Sequence, residues 1–359
     1  MYAQGNLSLA ARIVTSPQTS TIFSRAVLLG TARHAIPTLT TFHSRQATYQ
    51  PSMRLKRQFS STINTNLDYF PPPPETGNIR QTQAAWGHPI YSPKEMKDVV
   101  VAHRKAQTWS DYVALGTIRL LRSSFDIVTF YRHDKPLKPG QAPPQKWAMS
   151  EPKWMTRFIF LETVAGVPGM VGGMLRHLRS LRWMKRDNGW MESLLEEAYN
   201  ERMHLLTFLK MAEPGLFMRV IVLGAQAVFF GGFTLAYLIS PRTCHRFVGY
   251  LEEEAVITYT RAIDEIDAGK LPTWKSMRAP DIAIAYWKMP EGHQTMRDLL
   301  LYIRADEAKH REVNHTLGNL NPKTDPNPYT SEYKDPSKPH PTKGLEFQKP
   351  EGWERKDCL

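Results

Sequence analysis

The sequence predicts an all-α protein built on a bundle of four core helices. Apolar residues recur at helical spacing in four segments, and a glutamate stands within each of these apolar faces. Two of the glutamates open Glu-x-x-His motifs, Glu201 with His204 and Glu307 with His310. Residues three apart on a helix project from the same side, one turn apart. Both motifs therefore place polar side chains on faces that should point into a core.

The charge on these faces is the reason to expect a metal. The other two glutamates, Glu162 and Glu252, also lie in apolar helical runs. Burying a carboxylate without a counter-charge is costly, and a pair of divalent ions would cancel four negative charges. One Glu from each of two helices and one Glu-x-x-His from each of two others is the ligand set of dinuclear iron or manganese sites in ferritin-like bundles. The prediction is a ferritin-like four-helix bundle with a di-iron core.

Six residues are the candidate metal ligands: Glu162, Glu201, His204, Glu252, Glu307 and His310. The alternative is that all six are ordinary solvated residues of amphipathic helices. Their order along the chain and their places on apolar faces argue against that alternative. Carboxylate and imidazole ligands suit iron or manganese, and their spacing does not choose between the two metals.

Residues 1–59 are predicted to be a mitochondrial transit peptide. No Asp or Glu precedes Asp68, whereas this stretch holds six Arg, one Lys and many Ser and Thr, a composition typical of such leaders. Removing it leaves 39 basic and 34 acidic residues, so the formal charge falls from +12 to +5. The excess charge is thus no sign of a nucleic-acid partner, and none is predicted. The alternative is a disordered basic arm that stays attached.

Residues 60–95 are predicted to form an extended arm that includes four consecutive prolines at 71–74. A long amphipathic helix is expected over 96–131, and the Pro- and Lys-rich residues 133–148 end it. Ser150 then predicts the N-cap of the Glu162 helix, with Pro152 in the first turn.

The remaining core helices follow from their periodic apolar residues and flanking prolines. The Glu201 helix should run from about Trp190 to 213–215, the Glu252 helix should begin at Pro241, and the last helix should cover about 294–318. The helical domain is therefore predicted over 96–320. The tail, 321–359, is polar and rich in Pro and Lys, so it should be disordered or pinned to the surface.

Residues 216–239 are the most apolar segment, and a helix of this length would reach about 36 Å, enough to cross a bilayer. Glu201 precedes the segment and Glu252 follows it. Were it to span, these two ligands would be separated by about 30 Å of hydrocarbon and could not share ions. The segment is instead predicted to lie in one leaflet, beside the 109–131 helix. These two additional amphipathic helices would form a monotopic membrane-binding face; a core or dimer-interface helix without lipid is the alternative.

Around the candidate ligands the chain reads Leu-Glu-Thr at 161–163, Asn-Glu-Arg-Met-His-Leu at 200–205, Leu-Glu-Glu-Glu-Ala at 251–255 and Arg-Ala-Asp-Glu-Ala-Lys-His at 304–310. These stretches are similar to the four iron-binding motifs of the mitochondrial alternative oxidase family, and the resemblance covers about residues 95–320. It implies a non-proton-pumping, cyanide-resistant ubiquinol oxidase that reduces O2 to water with two iron ions per subunit. It also implies a homodimer on the matrix side of the mitochondrial inner membrane, in contact with its lipid.

By the same resemblance, seven positions match the family's quinol pocket: Arg157, Leu161, Leu251, Glu254, Ala255, Thr258 and Tyr259. Tyr259 matches the family's essential tyrosine, a catalytic proton or radical relay. Its alternative role is a buried ring whose hydroxyl bonds to a ligand carboxylate. Asn200 and Asp306, each next to a ligand glutamate, are expected to orient the histidines.

Two other functions fit part of this pattern. A di-iron hydroxylase of the quinone ring would share the bundle, the membrane face and the class of substrate. An iron-storage or purely structural membrane protein would share the metal ligands, although the apolar segment 216–239 argues against a soluble shell. Cys244 and Cys358 are too few for a zinc site or a disulfide scaffold.

Overall fold

The computed structural model describes residues 86–129, 131 and 148–359. In this part of the chain the secondary structure is ten α-helices and one 3-10 turn, Pro328–Thr330, with no β-strand, so the predicted all-α class is confirmed. The helices are α1 (Pro93–Lys97), α2 (Trp109–Val128), α3 (Glu151–Trp183), α4 (Trp190–Met211), α5 (Leu216–Ile239), α6 (Pro241–Asp267), α7 (Pro272–Ser276), α8 (Asp281–Trp287), α9 (Met296–Leu317) and α10 (Arg355–Cys358). The predicted transit peptide and the prolines at 71–74 lie outside the described residues.

Helices α3, α4, α6 and α9 form the predicted four-helix bundle, with α3 packed along α4 and α6 along α9. Glycines let the paired backbones approach closely. A Cβ on Gly169 of α3 would lie 2.5 Å from the carbonyl oxygen of Leu194, and one on Gly249 of α6 would lie 2.4 Å from Nδ1 of His315. This close packing brings the polar faces of the four helices within reach of one another.

The helix predicted over 96–131 is wrong in its first part, because α2 begins only at Trp109. Thr108 and Asp111 form a capping box that starts the helix there. The preceding segment is held by tertiary contacts instead: the backbone N–H of Arg104 donates to Glu253 Oε1, and His103 Nδ1 lies 2.6 Å from Glu253 Oε2. Such contacts with α6 cannot be predicted from the spacing of apolar residues within the segment itself.

Helix α3 begins after Ser150, the predicted N-cap residue, although the Ser150 side chain makes no capping hydrogen bond. The arm expected to be extended through residue 95 turns helical at Pro93, where Ser92 and Glu95 form a capping box. Two short helices, α7 and α8, occupy the polar connection that precedes α9. Trp287 at the end of α8 is fully buried and so anchors this connection to the bundle.

Helices α2 and α5 are the two additional helices. Helix α2 packs on α6, and α5 packs on α3 and α6. Their outer faces expose large apolar side chains, among them Trp109, Tyr112, Leu120, Leu216, Phe217, Leu223 and Val228. Of the described helices, α3 and α5 are long and apolar enough to cross a membrane by length and composition. Only 6% of the most apolar stretch of α5 is buried, against 50% for α3, which is a bundle helix.

The C-terminal tail is attached to the bundle. Glu312 of α9 accepts hydrogen bonds from the Tyr329 hydroxyl at 3.1 Å and from Trp353 Nε1 at 3.2 Å. Arg355 pairs with Asp325 through two hydrogen bonds, at 2.7 and 2.9 Å. Of the two states expected for the tail, the structure shows attachment, because a few aromatic and charged residues find partners on α9.

Candidate metal centre and its two cavities

The four bundle helices bring all six candidate ligands together. Ligand atoms of Glu162, Glu201, His204 and Glu307 lie within 4.8 Å of one another, and so do those of Glu201, Glu252, Glu307 and His310. All six residues are buried, at 7% exposure or less. Glu201 and Glu307 belong to both groups, so the arrangement offers two adjacent cation positions that share two carboxylates.

The donor atoms are those that a metal pair would satisfy. His204 Nδ1 lies 3.4 Å from Glu162 Oε2 and from Glu201 Oε2, and His310 Nδ1 lies 2.7 Å from Glu201 Oε1. Among the residues that the structure describes, none of these buried atoms has a partner with hydrogen-bond geometry. Buried polar atoms seldom lack partners in native proteins. Carboxylate oxygens and imidazole nitrogens converging in this way fit iron or manganese.

Asp306 orients His204. Its Oδ2 lies 3.1 Å from His204 Nε2 and accepts hydrogen bonds from Asn200 Nδ2 at 3.1 Å and Trp287 Nε1 at 2.9 Å. Its Oδ1 lies 2.7 Å from Nε2 of His88. An imidazole that donates through Nε2 keeps the Nδ1 lone pair for a metal. The sequence singled out Asp306 and Asn200 for this task, and the structure shows that Asn200 reaches His204 only through Asp306.

His88 was missed by sequence reasoning. It lies on the segment before α1, 218 residues from its partner Asp306, and no periodic pattern connects two residues so far apart. Sequence reasoning assigned no role to Trp287. Its indole N–H donates to the same carboxylate as His204. The sequence shows only that a His and a Trp stand at these positions, and a residue type by itself does not identify a partner.

The carboxylates and histidines shift one another's proton affinities in opposite directions. Burial raises the pKa of Glu162 to about 8, and burial together with the charges of Glu307 and Glu201 raises the pKa of Glu252 well above its usual value. Burial would also raise the pKa of Glu201, but the neighbouring His204 and His310 outweigh it and lower that pKa. The free cluster therefore relieves its repulsion by holding protons that bound cations would replace.

Tyr259 touches this centre directly. Its hydroxyl donates a hydrogen bond to Glu162 Oε1, and its ring stacks on Phe158 with centroids 4.8 Å apart. Burial and the charge of Glu162 raise the pKa of the phenol well above its usual value. This hydrogen bond is the contact expected for the alternative role of Tyr259, a buried ring whose hydroxyl bonds to a ligand carboxylate. The same contact directs a phenolic proton at a candidate metal ligand.

An apolar cavity of about 590 Å³ reaches the metal ligands from the side of α2 and α5. Its walls include the exposed apolar residues Val113 of α2 and Val228 of α5. Six of the seven predicted quinol-pocket residues line it: Leu161, Leu251, Glu254, Ala255, Thr258 and Tyr259. The metal-ligand candidates Glu162, Glu252 and Glu307 line it as well. The cavity thus joins the exposed apolar surface to the cluster.

Arg157, the seventh predicted pocket residue, does not line this cavity. Its guanidinium bonds to Asp126 Oδ1 at 2.5 Å and to Thr129 Oγ1 at 3.0 Å, and lies 4.4 Å from the centroid of Phe125. Phe125 is a wall residue of the cavity. Arg157 therefore supports the end of α2 behind the wall.

Arg122 is a cavity residue that the sequence did not single out. In the sequence it is only a charged residue within the apolar face of α2. In the structure its Nη1 bonds to Thr258 Oγ1 at 3.1 Å and lies 3.2 Å from Glu254 Oε2. Its Nη2 is buried and has no hydrogen-bond partner among the described residues. Arg122, Glu254 and Thr258 form a polar group on an otherwise apolar wall.

A second, smaller cleft of about 70 Å³ leads towards the ligand cluster between the 86–91 segment, α4 and α9. We call it the polar cleft. Its lining includes His88, Glu196, Glu197, Asn200, Asp306 and His310. Burial raises the pKa of Glu197 to about 7. The polar cleft and the apolar cavity have no lining residue in common. The cluster is therefore reached by an apolar route and by a polar one.

The fold and the site define a four-helix-bundle protein with a carboxylate–histidine core that can hold metal. Residues 91–319 match the alternative oxidase family. The chain is 65% identical over 304 residues to a mitochondrial alternative oxidase of Aspergillus niger, covering 85% of this chain and 86% of the relative. It is 54% identical over 346 residues to that of Venturia inaequalis, covering 95% of each chain. The chain belongs to the alternative oxidase family.

Proposed function

We propose that this protein is a mitochondrial alternative oxidase that oxidises ubiquinol and reduces O2 to water without pumping protons, in a cyanide-resistant reaction. One observation carries the proposal: six buried metal-ligand candidates converge at the inner end of an apolar cavity lined by six of the seven predicted quinol-pocket residues. An oxidase is also what the names of the relatives state. The ligands would be Glu162, Glu201, His204, Glu252, Glu307 and His310, holding two iron ions.

The iron pair, when bound, would supply the electron transfer that oxygen reduction requires. Two quinols provide the four electrons and four protons that convert one O2 into two waters. The chain's own residues bind and orient the quinol. The apolar walls suit its ring and tail. Arg122 offers a quinol oxygen a buried guanidinium nitrogen that has no hydrogen-bond partner among the residues described. The Tyr259 hydroxyl donates its proton in a hydrogen bond to Glu162 at the inner end of the cavity and can pass that proton on.

The membrane face would be formed by α2 and α5. Their exposed apolar side chains flank the cavity, so a quinol could enter from lipid without crossing water. Helix α5 joins α4 to α6, which carry Glu201 and Glu252, and both ligands lie in one cluster. A helix lying in one leaflet is compatible with this connection. Attachment to the matrix side of the inner membrane, and a homodimer, remain predictions from the family resemblance.

Oxygen uptake tests the proposal. Purified protein in proteoliposomes, given a short-tail ubiquinol and cyanide, should consume one O2 for every two quinols. Glu201→Ala removes a carboxylate shared by both cation positions, so uptake should fall at least a hundredfold and bound iron should drop below two per chain. Glu332→Gln, at an exposed tail position, is the matched control. Full activity of Glu201→Ala would reject the metal centre; oxygen-dependent formation of hydroxylated quinone would indicate a hydroxylase instead.

A further inference from the structure

An ion must cross the protein to reach the six candidate ligands, because all of them are buried. Two routes lead to them. The apolar cavity is walled mainly by apolar side chains and joins the exposed apolar faces of α2 and α5. Moving a bare charge into such surroundings costs tens of kcal/mol in the limiting case. The route that suits a quinol therefore disfavours a divalent cation, which would have to leave water for mainly apolar walls there.

The polar cleft has the groups that such a cation needs. Glu196 and Glu197 stand along it, and His310 and Asp306 line its inner part. Two further polar atoms in its wall lack hydrogen-bond partners within the described part of the chain: Oδ1 of Asn200 and Nδ1 of His88, on residues 7% and 8% exposed. A volume of about 70 Å³ admits several water molecules. An ion losing its hydration shell would meet replacement oxygen and nitrogen ligands along this path.

Two lysines line the cleft, and only one of them contacts its outer carboxylates. Lys309 is buried and pairs with Glu312 of its own helix at 2.9 Å. Lys343 of the tail lines the cleft, and its Nζ lies 3.1 Å from Glu192 Oε1 and 3.0 Å from Glu196 Oε2. Its side chain is about half exposed, so it marks the outer part of the path. An ammonium at this place repels an approaching or departing cation and occupies the carboxylate that would receive it.

We propose that divalent metal ions enter and leave the buried centre through the polar cleft. Glu196 is the outer carboxylate on this path, Glu197 is an inner one, and Lys343 is the charge that slows exchange. The inference rests on the proposed dinuclear centre and adds its loading route. Quinol and metal then reach the same cluster through separate openings.

The test measures iron loss from the metal-loaded full-length protein. Under anaerobic, reducing conditions a water-soluble Fe(II) chelator gives a coloured complex. Its final absorbance reports iron per chain, and its time course reports the exit rate. Entry and exit share one path by microscopic reversibility. Lys343→Met should speed release about threefold or more, and Glu196→Gln should slow it by a similar factor, as expected for one charge near the path. Both effects should shrink in high salt.

The opposite signs are the decisive feature. Both substitutions break the same Lys343–Glu196 contact, so a general loosening of the tail or helix would accelerate release in both variants. Lys349→Met is the matched control, because Lys349 is another tail lysine paired with a carboxylate, Asp357, and lies outside the cleft lining. Acceleration in both variants, or rates within twofold of wild type, would overturn the route. Two irons per chain with unaltered rates would leave the proposed function standing; absence of bound iron would reject both.

Discussion

Arg122 shows what a single residue adds to an apolar wall. Its guanidinium is shared between Thr258 and Glu254 of α6 and Asp126 of its own helix. These contacts fix the side chain at the cavity surface and leave Nη2 with no hydrogen-bond partner in the described ranges 86–129, 131 and 148–359. Burying an unsatisfied donor costs about 1 to 3 kcal/mol, which a ligand oxygen would recover on binding. The residue is thus suited to recognising the polar end of an apolar substrate.

Arg122→Met is expected to weaken quinol binding more than turnover. Loss of a charged donor should raise the KM for ubiquinol about tenfold or more, whereas kcat should change by less, because Tyr259 and the ligand cluster remain in place. Steady-state oxygen uptake at varied quinol concentrations measures both constants. Arg119→Met, at an exposed position on the same helix, should leave KM unchanged. Equal KM values in the two variants would contradict the role assigned to Arg122.

At the scale of helices, the ligand cluster depends on how closely paired helices approach. Helix α3 meets α4 at Gly169, where a side chain would strike the backbone of Leu194 and Ala198. Backbone atoms cannot rotate away as a flexible side chain can. The spacing of these two helices therefore follows from a glycine, and it sets the position of Glu162 relative to Glu201 and His204.

Gly169→Ala should push α3 and α4 apart. The expected loss is about 1 to 3 kcal/mol of unfolding free energy, typical of overpacking, together with a lower iron content. Gly116→Ala on α2 is the control: an added Cβ there meets nothing within 4 Å, and alanine is the better helix former, so stability should hold or rise by up to about 1 kcal/mol. Unfolding midpoints of both variants provide the comparison. Equal stabilisation of both would show that α3 and α4 separate at little cost.

The bundle alone does not explain helix α5, because most of its apolar side chains are exposed. A face of this size is expected to bind a membrane or another protein. Leu223→Glu should weaken attachment to liposomes in a flotation assay, since a buried carboxylate in the interface is costly. Ile90→Glu introduces the same charge at an equally exposed apolar position away from α2 and α5, and it should float like the wild type.

Across the whole molecule, the C-terminal tail secures the end of α9 that follows the ligands. Glu312 gathers the Tyr329, Trp353 and Lys309 side chains, and its other oxygen accepts the backbone N–H of Lys349. Trp353 and Tyr329 are buried against Leu317 and Trp190. A polar tail is thus stabilised by a small number of specific contacts rather than by a continuous apolar face.

Acid should release part of this attachment. Hydrogen bonds from Arg355 lower the pKa of Asp325 to about 2, from an ordinary value of 3.8. A lowered folded-state pKa contributes stability above about pH 4, and the contribution disappears as the pH falls towards 2. The difference in unfolding free energy between wild type and Asp325→Asn should therefore be constant above pH 4 and shrink below it. Arg355→Met should abolish the same pH dependence; a difference that grows with acidity would contradict the pairing.

The helices and their ligand pairs could be predicted from the sequence because both are local properties. Helical periodicity, the prolines and the three-residue spacing of Glu201 with His204 are contained within single segments, and α5 ends where its apolar run ends. The predicted start at residue 96 failed because the segment before α2 is held at His103 and Arg104 by Glu253, about 150 residues away.

Only the tertiary structure decided which distant residues meet. It placed His88 on Asp306, moved Arg157 behind the cavity wall, brought Arg122 to the cavity surface, and separated a polar opening from an apolar one. Each of these outcomes depends on how helices far apart in the chain are packed, and side-chain contacts across helices have no spacing rule. The chain by itself therefore determined the elements and the chemistry they carry, whereas packing determined the routes by which that chemistry can be reached.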